Sequence, residues 1–403
     1  MIHAKSAQIC GIDVLRFVAA SLVASLHLWG AQIRAPSGFA GYLAASAPAL
    51  AGGGGKAAGV AFIGAVGVQI FFTISGFVIV YSARDQSSCA NFLYKRFLRL
   101  APTLWVCTLI SAALAVAFQY YSIDEAIARS ARSFVIFPAF PKVDDVVWTL
   151  DLEVVFYLCI AAAVASRRRD AIKLVAYLLT AISLAYWGGY YGFGCAEGGR
   201  AGPSAVCALY ANPWFYKSTS NLLAQHGSFF AVGMFLWVGC CQKISRADWI
   251  VALIAVLVCM SQLNWTSSYY FNNDGDVGAP QSPVMMIGIW LAATASMGLS
   301  IVYHEQIGRA LSGCRTLVRI VGLSTYPLYL LHGFVGGAAL AAARSVGLGP
   351  FAGFIAALCV ASAVAAIVAV QIEPRVNAAI RRLVQRSRIF RSSIASEREL
   401  PPG

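Results

Sequence analysis

Charge is what this chain has least of. Of its 403 residues only 12% are Asp, Glu, Lys or Arg, against 59% hydrophobic, and the mean hydropathy is +0.70. So few charges cannot cover the surface of a water-soluble body of this length, so a polytopic membrane protein is expected and no soluble domain is left over. Metal-binding patterns are also missing. The eleven cysteines contain no CxxC pair and do not group with the five histidines at ligand spacing, so no metal site and no redox motif is expected. The first apolar stretch lacks a small-residue cleavage site and is interrupted by Arg16 and His27, so it reads as a retained helix, not a removed signal. No inverted repeat is visible, and no pair of broken helices in matching positions, which weighs against a transporter.

Long hydrophobic runs are what the chain does have. Ten are long enough to span: residues 12–33, 60–82, 98–121, 146–165, 171–191, 222–239, 249–263, 284–303, 322–343 and 351–372, the seventh being short. The expected fold is therefore an all-α integral membrane protein of about ten transmembrane helices over 1–372, followed by a basic tail over 373–403. The net charge of +13 invites a nucleic-acid reading, but it sorts by topology. With a cytoplasmic N-terminus, all but eight of the 30 Lys and Arg fall on the inner side, leaving Arg34, Lys56, Arg129, Arg132, Lys142, Arg200, Lys217 and Arg344 outside. Both termini are then cytoplasmic by the positive-inside rule, the tail touches anionic lipid, and no nucleic-acid partner is expected. Cys195 and Cys207 share a predicted outer loop, where an oxidising compartment would allow a disulfide, although spacing alone does not fix the pairing.

Against this background the few buried charges stand out. Arg16 and His27 lie eleven residues apart in the first helix, within about 20° of the same face and roughly 16 Å apart along the axis. A charge within a span is costly unless it faces the bundle or a wet cavity. A second group is Trp148-Thr-Leu-Asp151-Leu-Glu153-Val-Val-Phe-Tyr157, where Glu153 lies near the depth of His27 and could orient its imidazole. The alternative is a structural ion pair between two helices. Asp151 falls on a different face, where it would meet the headgroup interface. A third group is Lys95-Arg96-Phe-Leu-Arg99, just before Pro102, at the cytoplasmic mouth of the third helix, with Pro102 near the helix start. Arg96 and Arg99 share a face and suit phosphates of a nucleotide-like donor such as coenzyme A, although basic residues at a cytoplasmic helix end are also explained by topology. In the ninth stretch Tyr329 and His332 share a face and could form a polar relay, line the acceptor channel, or make an interhelical hydrogen bond. His226 reads as structural, and Ser75 and Gly76 read as helix packing.

Taken together, Asp13-Val-Leu-Arg16 with His27, Phe71-Phe72-Thr-Ile-Ser75-Gly76-Phe77, Arg96-Phe-Leu-Arg99-Leu-Ala-Pro102, the Trp148 to Tyr157 segment and Tyr326-Pro-Leu-Tyr329-Leu-Leu-His332 resemble the membrane acyltransferase family 3. The resemblance runs over most of the chain and implies transfer of an acyl group, acetyl by default, from cytoplasmic acyl-CoA to a hydroxyl of a surface or exported polysaccharide. It implies His27 and Glu153 as catalytic and Arg16, Arg96 and Arg99 as donor-binding; Tyr329, His332 and Asp151 stay secondary candidates for substrate contact or a relay. No permanently bound cofactor is implied. The partners would be acyl-CoA, a glycan or lipid-linked saccharide and membrane lipids, in a bacterial inner membrane. Asp151 departs from the small residue usual in the family, as do Thr149 from serine and Val14 from glycine. Larger relatives append an extracytoplasmic hydrolase-like domain, so without one the acceptor is expected to be met at the membrane. The rival reading is a multi-pass transporter or flippase of a glycan or small anion.

Overall fold

The computed structural model describes residues 9–34, 63–84, 86, 88–135, 141–168, 170–195, 205–272 and 283–386. Among these there are helices and no strands. Helices α1 (Cys10–Arg34), α2 (Val66–Ala83), α3 (Cys89–Ala117), α4 (Ile123–Phe134), α5 (Trp148–Ser166) and α6 (Ala171–Gly192) are followed by the short α7 (Ala205–Ala211) and α8 (Pro213–Asn221). Then come α9 (Gly227–Cys241), α10 (Arg246–Asn272), α11 (Pro283–Val302), α12 (His304–Ala310), α13 (Arg315–Leu331), α14 (Phe334–Ser345), α15 (Pro350–Ile367) and α16 (Glu373–Arg386).

Eight helical segments among the described residues are long and apolar enough to cross a bilayer, and α13 with α14 make a ninth if the pair, bent by 76°, counts as one span. The apolar helix α9 has only 15 residues, about 22 Å of rise against a hydrocarbon layer of about 30 Å. Three expectations from the sequence change here. The seventh stretch is not short: α10 runs for 27 residues, because its polar ends continue the helix beyond the apolar core. The ninth stretch is not continuous but breaks after Leu331. The third helix starts ahead of its apolar stretch, which begins at Leu98. α3 begins at Cys89, where the Ser88 hydroxyl accepts a hydrogen bond from the Asn91 N–H, and Pro102 lies inside it. Lys95, Arg96 and Arg99 are therefore helical residues with fixed directions.

The inner helices approach closely because they meet at glycines. A Cβ on Gly76 would strike the Phe230 carbonyl, and one on Gly233 the Thr73 carbonyl, so α2 and α9 touch backbone to backbone. Gly64 and Gly67 bring the start of α2 equally close to α1 at Leu22 and Ala19, and Gly322 brings α13 against Asp13 of α1. In this way α1, α2, α9 and α13 are drawn together. α9, apolar on every face, is buried along nearly its whole length. Exposed stripes such as Leu174, Leu178 and Ile182 on α6, and Ile250, Leu253 and Leu257 on α10, recur at helical spacing on the outside, as lipid-facing surfaces do. A disulfide joins Cys195 and Cys207, whose Cα atoms are 5.2 Å apart, and ties the end of α6 to α7.

Candidate active site

Two cavities adjoin within the bundle, one of about 340 Å³ and one of about 110 Å³, and Val68 and Tyr329 line both. Helices α1, α2, α5 and α13 contribute to both. α1 turns Arg16 into the smaller cavity and His27 into the larger, as the shared face of the two residues requires. α5 contributes Glu153 and Tyr157 to the smaller cavity and Trp148 to the larger. α13 contributes Tyr326 to the smaller, and His332 just past its end faces the larger.

The smaller cavity carries more positive than negative charge. Arg16, Arg96 and Arg99 line it with Glu153 as the one carboxylate. Glu153 Oε1 accepts a hydrogen bond from the Tyr157 hydroxyl at 2.8 Å and a longer one from Ser75 at 3.5 Å. Arg96 donates to the Ser82 hydroxyl at 2.7 Å, and its guanidinium lies 5.8 Å from the centre of the Tyr157 ring. Arg99 sits 3.9 Å from Glu373 at the start of α16. The Nε groups of Arg16 and Arg96 are buried and have no hydrogen-bond partner among the described residues. A buried guanidinium with an unused N–H in an electropositive hollow suits an anionic oxygen ligand.

In the larger cavity the His27 and His332 rings lie 5.1 Å apart between centroids, tilted by 49°. His332 Nδ1 lies 2.8 Å from the Tyr329 carbonyl oxygen. A carbonyl only accepts, so Nδ1 carries the hydrogen and Nε2 the lone pair. That Nε2 is buried and has no hydrogen-bond partner among the described residues. Thr149 donates to the Tyr329 hydroxyl at 3.0 Å, and this hydroxyl donates to the Val146 carbonyl at 3.2 Å, which fixes Tyr329 at the junction of the cavities.

The sequence pairs Glu153 with His27; the structure sets the two in separate cavities, and His332 takes the place beside His27. Helical depth could not show this, because it says nothing about which helix faces intervene. His332 is likewise not within a helix but at the break between α13 and α14. Asp151 does not meet the headgroup interface. It is 1% exposed and forms a 2.6 Å ion pair with Lys142, which is wholly buried. Asp151 lines neither cavity. Two residues were missed by sequence reasoning. His226, read as structural, lines the larger cavity with a buried Nδ1 that has no hydrogen-bond partner among the described residues, its ring against Phe72 and Trp148. Asp144 lines the same cavity four residues ahead of Trp148; the only signal was an acidic pair, Asp144 and Asp145, at the mouth of an apolar run.

Apolar helices of spanning length, closed around titratable side chains and two adjoining cavities, place the protein among integral membrane enzymes. The model of acyltransferase family 3, described as an acyltransferase domain, matches residues 10–370, and the chain belongs to this family. Its similarity to a curated protein is lower: the exopolysaccharide production protein ExoZ of Rhizobium meliloti (strain 1021) is 25% identical over 306 residues, covering 73% of this chain and 84% of that protein. No solved structure matches the chain. The protein is thus a membrane acyltransferase.

Proposed function

We propose that this acyltransferase moves an acyl group, acetyl in the simplest case, from acyl-CoA to a hydroxyl of a surface or exported polysaccharide, in a bacterial inner membrane. The observation that carries this reading is the pair of adjoining cavities, one lined by guanidinium groups and the other by histidines. The donor's phosphates would bind where Arg16, Arg96 and Arg99 gather, with its narrow thioester arm directed towards Tyr329. The acceptor would occupy the larger cavity, beside His27 and His332. Its hydroxyl oxygen attacks the thioester carbonyl, so a C–O bond forms and the C–S bond breaks. His27 takes the hydroxyl proton, and the thiolate leaves and is protonated to free coenzyme A. His332, its lone pair fixed on Nε2, would accept the proton from His27 or hold that ring in its productive tautomer. Glu153 serves the donor side by partly balancing the three arginines and aligning Tyr157. No bound cofactor or metal takes part in this scheme.

The topology that fits has ten crossings, counting the bent α13–α14 pair and the short α9, with both termini in the cytoplasm. The Cys195–Cys207 bond supports an outer location for the loop after α6, and the guanidinium cavity then opens on the inner side, where acyl-CoA is made. The relative's description as an exopolysaccharide production protein supports a polysaccharide acceptor. Transport, the rival reading, would draw on the break at His332, but no matching break lies in another half of the described chain.

The test is transfer of label from [14C]acetyl-CoA into glycan by membranes containing the wild type or His27→Ala. Incorporation by the wild type alone supports the reading. Retained transfer by purified, folded His27→Ala overturns the assignment of His27, and CoA-independent movement of glycan would favour transport.

A further inference from the structure

The larger cavity contains a carboxylate whose chemistry the scheme above leaves unused. Asp144 caps the turn Asp145–Val147 that leads into α5, and only one of its oxygens is needed for that: Oδ1 accepts the Val146 N–H at 3.0 Å. Oδ2 is buried and has no hydrogen-bond partner among the described residues, while Asp144 as a whole is only partly buried and lines the cavity. It rests against the break between α13 and α14. A Cβ built on Gly333, the residue after His332, would come within 2.9 Å of Oδ2, so glycine at this position leaves the carboxylate its room. Burial pushes the carboxyl up to about pKa 7, the Val146 N–H opposing and Asp145 adding to the rise. An unsatisfied carboxyl oxygen is expensive, and the described residues offer no donor for it.

The surroundings indicate what would supply one. Trp148, Trp265, Tyr120 and Tyr216 line the cavity, as do Gln69 and Gln262, whose buried Oε1 atoms have no hydrogen-bond partner among the described residues. Flat apolar faces interleaved with a few hydrogen-bonding groups match a pyranose, which has an apolar C–H face and an equatorial rim of hydroxyls. The volume of about 340 Å³ falls within the usual range for small-ligand sites of roughly 300–1,000 Å³.

We propose that Asp144 is the acceptor-reading residue: its carboxyl group accepts a hydrogen bond from a sugar hydroxyl neighbouring the one acylated, and so selects saccharides that carry a second free hydroxyl there. This rests on the acyl-CoA-to-saccharide reading above. Asp144 touches the acceptor and plays no part in the donor side. Loss of one hydrogen bond to a charged or strongly polar group then raises the acceptor KM by about ten- to a hundredfold. The donor KM stays within about twofold.

The test uses the full-length protein in membranes, with [14C]acetyl-CoA as donor. The acceptors are methyl glycosides of gluco, galacto and manno configuration and the monodeoxy analogues of whichever is used. The wild type is expected to reject one monodeoxy analogue. Asp144→Ala and Asp144→Asn are expected to raise the acceptor KM with donor KM unchanged and to treat that analogue and its parent alike. Gly333→Ala, which pushes the carboxylate aside, should give the same acceptor defect. Wild-type transfer with unchanged acceptor KM and discrimination in the variants overturns this inference alone. Loss of coenzyme A binding together with acceptor binding in all three variants also overturns it, since Asp144 would then be only structural. A wild type that acylates no saccharide overturns the reading on which it rests.

Discussion

The buried pair of Lys142 and Asp151 makes a sharp test, because the sequence invites a functional role for Asp151 and the structure assigns it a structural one. Asp151→Asn removes the negative charge that lies 2.6 Å from an ammonium that is wholly buried. Burial pulls the Lys142 pKa down, and the hydrogen bond and charge of Asp151 hold it up. Stranding one member of such a pair costs about 3–5 kcal/mol, whereas replacing both members by apolar side chains of similar volume is often neutral or better. Asp151→Asn should therefore lower the thermal unfolding midpoint of the protein in detergent clearly, while Lys142→Met combined with Asp151→Leu should recover most of it. Transfer per folded molecule should survive in both, since Asp151 lines neither cavity. The measurement is tryptophan-fluorescence melting alongside [14C]acetyl transfer normalised to folded protein. A variant with wild-type stability and a selective loss of acceptor activity would refute this reasoning and return Asp151 to the site.

Other outcomes are expected. Gly233→Val should destabilise by about 1–3 kcal/mol through overpacking, because its side chain would meet the Thr73 backbone carbonyl, which cannot move aside; lower yield and melting point would show it. Glu373→Gln frees Arg99 from its 3.9 Å partner and should lower the donor KM by a few fold in acetyl-CoA titrations, whereas a raised donor KM would mean that Glu373 positions the arginine. The raised pKa of Asp144, about 7, makes the folded state hold a proton that the unfolded state releases near pH 4. Between these values the folded state binds more protons, so stability from this group is present below about pH 4 and is lost as pH rises through 7. The loss is at most about 4 kcal/mol, and melting curves of Asp144→Asn should lack it.

Much of the architecture was legible in the amino-acid order because a bilayer restricts a chain so strongly. Apolar runs of spanning length had to become helices, and those at Arg16, Phe71 and Glu153 did so. The candidate residues were legible for the same reason: a charge in such a run carries a cost that needs an explanation, so Arg16, His27, Glu153 and His332 could be picked out singly. Their grouping was not legible. Arg16 and His27 share a helix face, yet they enter different cavities because 16 Å of rise separates them and Tyr329 lies between the two hollows.

The sequence by itself determined the helical, membrane-embedded class, the family, and the buried charges that had to have partners, since hydropathy and local motifs depend only on neighbours along the chain. Only the tertiary structure decided which partners they found. His27 meets His332 because α13 ends at that residue, and Asp151 meets Lys142 because the loop before α5 folds inward. Asp144 reaches the cavity because Gly333 leaves room for it. Each of these pairings depends on where a helix stops and how closely two backbones approach, and periodicity along one chain contains neither quantity.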